Sequence, residues 1–191
     1  AWQKRSGSCH RMKRIASPRT QILDLPSSRQ PPPEELYIGV GWKKTGTTSL
    51  SLAFSMLNIG PQCKCTTVAE LANVAVAVDL AFCCDVGLAH RASLAYPHSK
   101  FVLTTRDPAE WNASVVGWLE YGVRVHGNTA GAQMSHLYSK LMGGASIGSL
   151  EFVSRYLEHN KQVRAMFTAQ PNRLLELDQS FIIVKLVHKV F

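Results

Sequence analysis

The chain has 191 residues, of which 46% are hydrophobic and 18% are charged, a length that favours one domain with its own core and a composition that excludes disorder along the whole chain. The formal net charge is +8, but much of the excess positive charge lies near the N-terminus. The remaining positive charge is explained by a small anionic ligand and does not require a nucleic acid. No apolar run approaches the ~20 residues that a membrane-spanning helix requires.

Residues 1–33 form a polar, basic segment ahead of the predicted domain. The first 23 residues carry six Lys and Arg side chains and no acid. Three prolines at 31–33 close the segment, and such a run is typical of an extended linker. We therefore predict a flexible tail over 1–33 and a single domain over 34–191. A solvated tail suits a cytoplasmic protein, which is the location we favour, and an acid-poor, arginine- and serine-rich start also fits an organellar transit peptide.

The five cysteines lack the pattern of a disulfide-stapled secreted domain. They include a Cys-x-Cys pair, Cys63 and Cys65, and an adjacent pair, Cys83 and Cys84. Four thiolates are able to hold a zinc ion, but the usual Cys-x-x-Cys spacing is missing. We therefore expect free buried thiols and no metal site.

From residue 36 onward, short apolar runs alternate with stretches of helical periodicity. The predicted strands are 36–40, 100–105 and 174–177. The predicted helices are 47–58, 87–96, 108–121 and 149–168. This alternation predicts an α/β fold with a central parallel sheet.

Three finer expectations concern the second half of the chain. Asp107 is expected to cap a helix whose first residue is Pro108. The glycine-rich segment 122–148 receives no assignment. Five apolar residues of the last helix are expected to face a core, namely Leu150, Val153, Leu157, Val163 and Phe167.

The most informative stretch follows the first predicted strand. Its glycines let the backbone turn sharply, and its hydroxyl residues begin a helix, so several backbone N–H groups and the helix dipole point at one spot. Such a spot binds an anion, whereas the alternative is a plain strand-to-helix turn that binds nothing. The residues predicted to bind the anion are Lys43, Lys44, Thr45, Gly46, Thr47, Thr48 and Ser49.

The position of the lysine indicates which phosphate chemistry the loop serves. A nucleoside triphosphatase loop places a lysine directly after its second glycine. Gly41 and Gly46 have the matching spacing, but Thr47 occupies the lysine position. The run Lys-Thr-Gly-Thr-Thr over 44–48 instead resembles the loop of the P-loop sulfotransferase family. The resemblance implies that Lys44 and its neighbours bind the 5′-phosphosulfate of 3′-phosphoadenosine 5′-phosphosulfate.

A second motif of that family matches after a later predicted strand. Family members hold the nucleotide 3′-phosphate with an arginine at the strand end and a serine eight residues further on. Arg106 and Ser114 have this spacing. A guanidinium offers paired donors to phosphate, although an isolated Arg-Asp-Pro turn would more often serve an ion pair with a carboxylate. The resemblance implies that Arg106 and Ser114 form the 3′-phosphate site.

The resemblance covers about 36–178 and implies a P-loop fold of three layers and a sulfotransferase. Such an enzyme moves a sulfuryl group to a hydroxyl or amine acceptor, with the nucleotide donor as co-substrate and no metal. In relatives the general base lies some twenty residues before the 3′-phosphate arginine, which implies Asp85, then His90, and Asp79 as a third choice. A helix-capping role for Asp85 is the alternative.

Two segments depart from the family pattern. Residues 71–81, where a middle helix and acceptor-site residues are expected, are rich in alanine and valine. Family domains continue past the last strand, whereas only 179–191 follow here, which predicts a domain shortened at its C-terminal end. Two other functions therefore stay open, a divergent P-loop kinase or other nucleotide-binding enzyme and a degenerate domain that binds the nucleotide without turnover.

Overall fold

A computed structural model describes residues 36–78 and 85–179, and the predicted tail and the end of the chain lie outside these ranges. Within them, five strands form one sheet in which every pairing is parallel. The strands are β1 (Tyr37–Gly39), β2 (Gln62–Cys63), β3 (Val76–Ala77), β4 (Lys100–Thr105) and β5 (Leu174–Asp178). Their order is β2-β3-β1-β4-β5. The predicted α/β fold with a central parallel sheet is confirmed.

The helices of the described part are α1 (Thr47–Met56), α2 (Val86–Ala95), α3 (Pro108–Leu141) and α4 (Leu150–Met166). The four predicted helices are present, but α3 continues through most of the glycine-rich segment that received no assignment. Gly127, with φ of 83°, interrupts the helical geometry, so α3 consists of two helical parts that meet at a kink. None of the helices described has the length and hydrophobicity to span a membrane.

Helices cover both faces of the sheet. On one face Phe101 packs in a cluster with Ala89 of α2 and Val163 of α4. On the other face Val102 packs in a cluster with Leu50 of α1. Neighbouring residues of β4 thus point to opposite sides, as the two-residue period of a strand requires. The result is a three-layer α/β fold with a sheet buried on both faces, as the resemblance implies.

The strand order determines where a ligand site is expected. The chain leaves β1 toward β3 and β2 on one side of the sheet and then crosses to β4 and β5 on the other. In parallel sheets, ligands bind at the carboxyl ends of strands where the direction of winding changes in this way. Gly39 of β1 lies beside Val102 of β4 in the register. The segments that follow β1 and β4 therefore emerge side by side.

The segment 71–81 contains no α-helix in the part that the structure describes. Ala69–Asn73 forms a short 3₁₀ helix, and Val76–Ala77 is β3, which lies between β1 and β2. Val76 and Ala77 are fully buried, and a short apolar run has the same appearance in a buried helix and in a buried strand. The expectation of a middle helix here is therefore wrong.

Asp107 and Pro108 begin α3 as predicted. The Asp107 side chain accepts hydrogen bonds from the backbone N–H groups of Ala109 and Glu110, both at 3.0 Å. The core-facing side of α4 was predicted less well, because Leu150 is 90% exposed and Leu157 is 48% exposed.

The buried face of α4 is set by its aromatic residues rather than by its leucines. It carries Phe152, Tyr156, His159, Asn160 and Val163. These positions recur at the spacing of one helical face, and large rings bury more apolar area than leucine side chains do. The expectation for Val163 and Phe167 is confirmed, whereas the leucines lie on the solvent side.

The cysteines also differ from expectation. The structure joins Cys63 and Cys65 in a disulfide. The expectation of free thiols is therefore wrong for this pair, while Cys9, Cys83 and Cys84 lie outside the described residues. In residues 36–78 and 85–179 no group of His, Cys, Asp or Glu side chains is arranged to hold a metal ion.

Candidate functional site

A cavity of about 330 Å³ lies beyond the carboxyl ends of β1 and β4. The loop after β1 and the start of α1 contribute Lys43, Lys44, Gly46, Thr47 and Thr48 to its lining. The segment after β4 contributes Arg106, Ser114 and Trp118, and two more distant residues, Tyr138 and Gln179, complete it. The two motifs that the sequence places far apart thus meet at one cavity.

The N-terminus of α1 faces this cavity. Gly46 caps the helix with a left-handed φ of 96°, a conformation that glycine adopts without steric cost. Thr47 and Thr48 in the first turn line the cavity, and that turn contains no acidic residue. The positive end of the helix dipole and its unpaired N–H groups therefore act on the cavity without a competing carboxylate.

Two of the residues predicted for anion binding do not line the cavity. Thr45 is buried, and its hydroxyl donates to the backbone carbonyl of Trp42. The Thr45 and Thr104 hydroxyls lie 2.7 Å apart, so Thr104 must donate this second hydrogen bond. Thr45 therefore ties the loop to β4. Ser49 is half-buried in the first turn of α1 and is not part of the lining.

Gly41 allows the loop to pass directly over β4. A Cβ atom at this position would lie 2.0 Å from Thr104 Oγ1 and 2.5 Å from the Thr104 carbonyl oxygen. No side chain is compatible with that approach. The glycine is thus needed for the close contact between loop and sheet rather than for an unusual backbone angle.

Lys44 is held beside an aromatic ring and a second cation. Its backbone has a φ of 70°, and its Nζ lies 5.7 Å from the centre of the Trp118 ring, within the range of a cation–π interaction. Burial lowers the pKa of the Lys44 ammonium, and the charge of Arg106 lowers it further. The Lys44 and Arg106 charges thus act on each other across the cavity, an arrangement that an anion between them would relieve.

Arg106 is fixed through its backbone. Its N–H donates to the Tyr156 hydroxyl at 2.9 Å, and that hydroxyl donates to the Arg106 carbonyl, also at 2.9 Å. Burial raises the pKa of Tyr156, so the hydroxyl keeps the proton that it donates. The Arg106 side chain is 23% exposed, and its Nε lies 3.4 Å from Glu110 Oε2. The guanidinium therefore retains further donors for an anion in the cavity.

Stacked rings connect this arginine to the loop. Trp111 of α3 stacks on Tyr156 at a centroid distance of 4.3 Å and an interplanar angle of 11°. The Trp111 Nε1–H donates to the backbone carbonyl of Lys43 at 2.9 Å. One pair of rings thus contacts the main chain of both motifs.

His159 of α4 contacts the backbone just before the loop. Its Nε2 lies 2.8 Å from the carbonyl oxygen of Val40, which accepts only, so Nε2 carries the proton. Burial lowers the pKa of His159, partly offset by the bond to Val40. The ring is therefore neutral near pH 7, and it packs edge-on against Trp42 at a centroid distance of 5.4 Å.

A comparison with known protein families identifies the family of this chain. The model of the sulfotransferase domain matches residues 71–180, which is more than half of the 191 residues. The chain belongs to the sulfotransferase family. The family inferred from the two motifs is thereby confirmed. No curated protein sequence matches the chain significantly.

The matched region of this sulfotransferase family member includes Arg106 and Ser114 but begins after the loop at 43–48. The family match and the loop are therefore independent observations. They come together in the structure, because residues of both line one cavity.

Asp85 and His90, the first two residues predicted as general base, do not line the cavity of this sulfotransferase family member. Asp85 caps α2, where its Oδ1 accepts from the Leu88 N–H at 2.9 Å and its Oδ2 lies 4.0 Å from Arg91. His90 is exposed on α2, and neither residue lines the cavity. Asp79 lies outside the described residues. The assignment of Asp85 or His90 as base stays a prediction.

Sequence reasoning missed several residues of the site. Trp118 lies one helical turn after Ser114, so the predicted helix already placed the two on one face. Tyr138 belongs to the segment without an assignment, and Gln179 follows the last strand. The roles of Trp111 and Tyr156 depend on how α3 packs on α4, for which the sequence carries no local signal.

Proposed function

We propose that this protein is a sulfotransferase that takes its sulfuryl group from 3′-phosphoadenosine 5′-phosphosulfate and transfers it to a hydroxyl or amine acceptor. The single observation that carries the proposal is the shared cavity of Lys44 and Arg106. Its volume of about 330 Å³ lies within the range of small-molecule sites.

The chemistry of the lining supports a ligand with two anionic groups. Lys43, Lys44 and the N-terminus of α1 lie at one motif, and Arg106 with Ser114 lies at the other. Among the described residues that line the cavity there is no carboxylate. The lining therefore suits a 5′-phosphosulfate at the loop and a 3′-phosphate at Arg106, with the nucleoside between them.

The proposed reaction breaks the bond between sulfur and the bridging phosphate oxygen and forms a bond between sulfur and the acceptor atom. Negative charge develops on the oxygen that leaves, and the acceptor proton passes to a base. In the proposal the Lys44 ammonium and the N–H groups of the first turn of α1 neutralise the leaving oxygen. Thr47 and Thr48 add hydroxyl donors. As in phosphoryl transfer, positioning and charge neutralisation provide most of the catalysis.

The test is ligand-induced stabilisation followed by an activity measurement. We expect 3′,5′-adenosine bisphosphate to raise the melting temperature, with ~2.7 kcal/mol of stabilisation at one hundred times its dissociation constant. Mg-ATP at the same concentration serves as the comparison. Stabilisation by Mg-ATP alone would instead favour the kinase alternative. Binding of the bisphosphate without transfer from labelled donor to any acceptor in a panel of alcohols, phenols and amines would favour the non-catalytic alternative.

A further inference from the structure

The Tyr156 hydroxyl forms the backbone hydrogen bonds of Arg106 that a neighbouring strand would otherwise form. The register between β4 and β5 ends with Thr105 opposite Asp178, one residue before the arginine. The N–H and the carbonyl of Arg106 are instead both bound by one tyrosine oxygen, each at 2.9 Å. A phenylalanine would fill the same space but would leave both backbone groups without this partner, and unpaired buried backbone groups are costly.

The phosphate-binding loop is likewise bound by a ring of this stack, that of Trp111. Trp111 is fully buried, stacks on Tyr156 and donates to the Lys43 carbonyl at 2.9 Å. Phe152 stacks on the same indole at 5.0 Å. The relative position of the two rings is therefore fixed by packing, and each ring carries one hydrogen-bond connection to one motif.

We propose that Tyr156 and Trp111 are positioning residues that set the separation between the two phosphate subsites of the donor. Tyr156 acts on the 3′-phosphate through the backbone of Arg106, and Trp111 acts on the 5′-phosphate through the backbone of Lys43. The inference rests on the proposed function, since it assigns one phosphate of the donor to each motif.

The two positions predict different selectivities between two nucleotides, which a role in core packing alone does not. Adenosine 5′-monophosphate and 3′,5′-adenosine bisphosphate differ only in the 3′-phosphate. Tyr156→Phe disturbs Arg106 and is expected to weaken binding of the bisphosphate by roughly tenfold, the equivalent of about 1.4 kcal/mol. Binding of the monophosphate is expected to change by less than about twofold. Trp111→Phe keeps an aromatic ring but loses the donor to Lys43, so both ligands are expected to weaken by the same factor.

The experiment uses the full chain and titrations carried to millimolar ligand, so that both dissociation constants are measured for every variant. Tyr96→Phe is the matched control, because it removes a tyrosine hydroxyl that lies 3.4 Å from the backbone carbonyl of Val68, in a cluster away from the cavity. It is expected to leave both constants unchanged. Thermal unfolding without ligand gives the folded fraction of each variant.

The affinity ratio of the two ligands decides the result. A lowered ratio in Tyr156→Phe together with an unchanged ratio in Trp111→Phe supports the proposal. If Tyr156→Phe weakens both ligands equally, or neither, the tyrosine is a packing residue and the proposal is overturned. If Tyr156→Phe does not fold, a ratio change in Trp111→Phe overturns the proposal. An equal loss for both ligands supports it when the melting temperature of Trp111→Phe without ligand stays near that of the wild type, and overturns it when that temperature falls in step. Failure of the wild-type protein to bind the bisphosphate would overturn the proposed function itself, which is a separate outcome.

Discussion

The charge of Arg106 lowers the pKa of Lys44, as the second cause after burial of the ammonium. The two residues belong to different motifs, yet their cations interact at a single cavity. Repulsion between like charges in a partly buried site is relieved when an anion binds between them. Together with burial, this repulsion makes Lys44 lose its proton at a lower pH than an ordinary lysine does.

The first prediction concerns this pH dependence. A lowered pKa means that Lys44 loses its charge at a pH below the ordinary lysine value of about 10.4. Affinity for 3′,5′-adenosine bisphosphate should therefore be full at neutral pH and fall as pH rises through the lowered pKa. The phosphates, whose second pKa is about 6, do not titrate there. Lys44→Arg stays charged and should bind with a flatter profile between pH 7 and 10. Identical pH profiles for the wild type and Lys44→Arg would show that a group other than Lys44 titrates in this range.

The second prediction concerns turnover. Lys44→Ala should lower sulfuryl transfer by a factor of at least about 10², because the ammonium acts on charge that develops during the reaction. The melting temperature should change little, since the residue is only half-buried in the loop. Lys100→Ala removes the same charge at the opposite end of β4, where the ammonium contacts the Asn172 carbonyl at 3.2 Å. Activity should survive in that control, and near-normal turnover in Lys44→Ala would remove the lysine from the mechanism.

The third prediction concerns the 3′-phosphate. Arg106→Ala should weaken binding of 3′,5′-adenosine bisphosphate by ~1.5–3 kcal/mol, the range for a hydrogen bond to a charged group, and binding of adenosine 5′-phosphosulfate far less. Glu110→Gln should have the opposite effect on the bisphosphate, because it removes the carboxylate that lies 3.4 Å from the Arg106 Nε. Calorimetry measures both ligands. Equal losses in Arg106→Ala would indicate a structural arginine.

The fourth prediction tests the close approach of the loop to the sheet. Gly41→Ala places a methyl group within 2.0 Å of Thr104 Oγ1, and overpacking of this kind costs ~1–3 kcal/mol or more. The variant should melt at a lower temperature and bind nucleotide poorly. Gly117→Ala is the control, because a Cβ there meets nothing within 4 Å and alanine favours the helix by about 0.5–1 kcal/mol. Equal melting temperatures for the two variants would show that the loop moves aside.

The fifth prediction concerns His159. Its folded pKa is lowered by burial, so the unfolded chain binds the proton more readily. The contribution of His159 to the free energy of unfolding is therefore fully present above the pKa of the unfolded chain, about 6.5. This contribution decreases as the pH falls below that value. His159→Gln keeps an N–H donor for the Val40 carbonyl but cannot titrate. Its melting temperature should lack this decrease between pH 7 and 5, and a parallel decrease would assign the acid sensitivity to other groups.

The parts of the site that could be predicted are those fixed by position along the chain. Lys44 follows β1 and Arg106 follows β4, and parallel strands bring their carboxyl ends to one edge of the sheet. The apolar runs of these strands are long enough to recognise. The neighbouring β2 and β3 have two residues each, which is too few for any periodicity, so the sequence does not distinguish them from other short segments.

The parts that could not be predicted depend on packing between distant segments. In α4 the leucines suggested one face, but the rings of Phe152 and Tyr156 occupy the buried one because they stack on Trp111. Tyr138 lines the cavity from a helix that continues past a kink at Gly127. Such contacts arise from the tertiary arrangement and leave no local pattern.

The parallel pairing of β1 with β4 and of β4 with β5 joins segments that are far apart in the chain. Each of these pairings closes a long loop, which costs entropy before any contact forms, and folds of this kind are slow to form. No short fragment contains both Lys44 and Arg106 in their native relation. Affinity for the nucleotide is thus expected to appear only when the whole sheet has assembled, so the rate at which binding competence returns after dilution from denaturant reports the completion of folding.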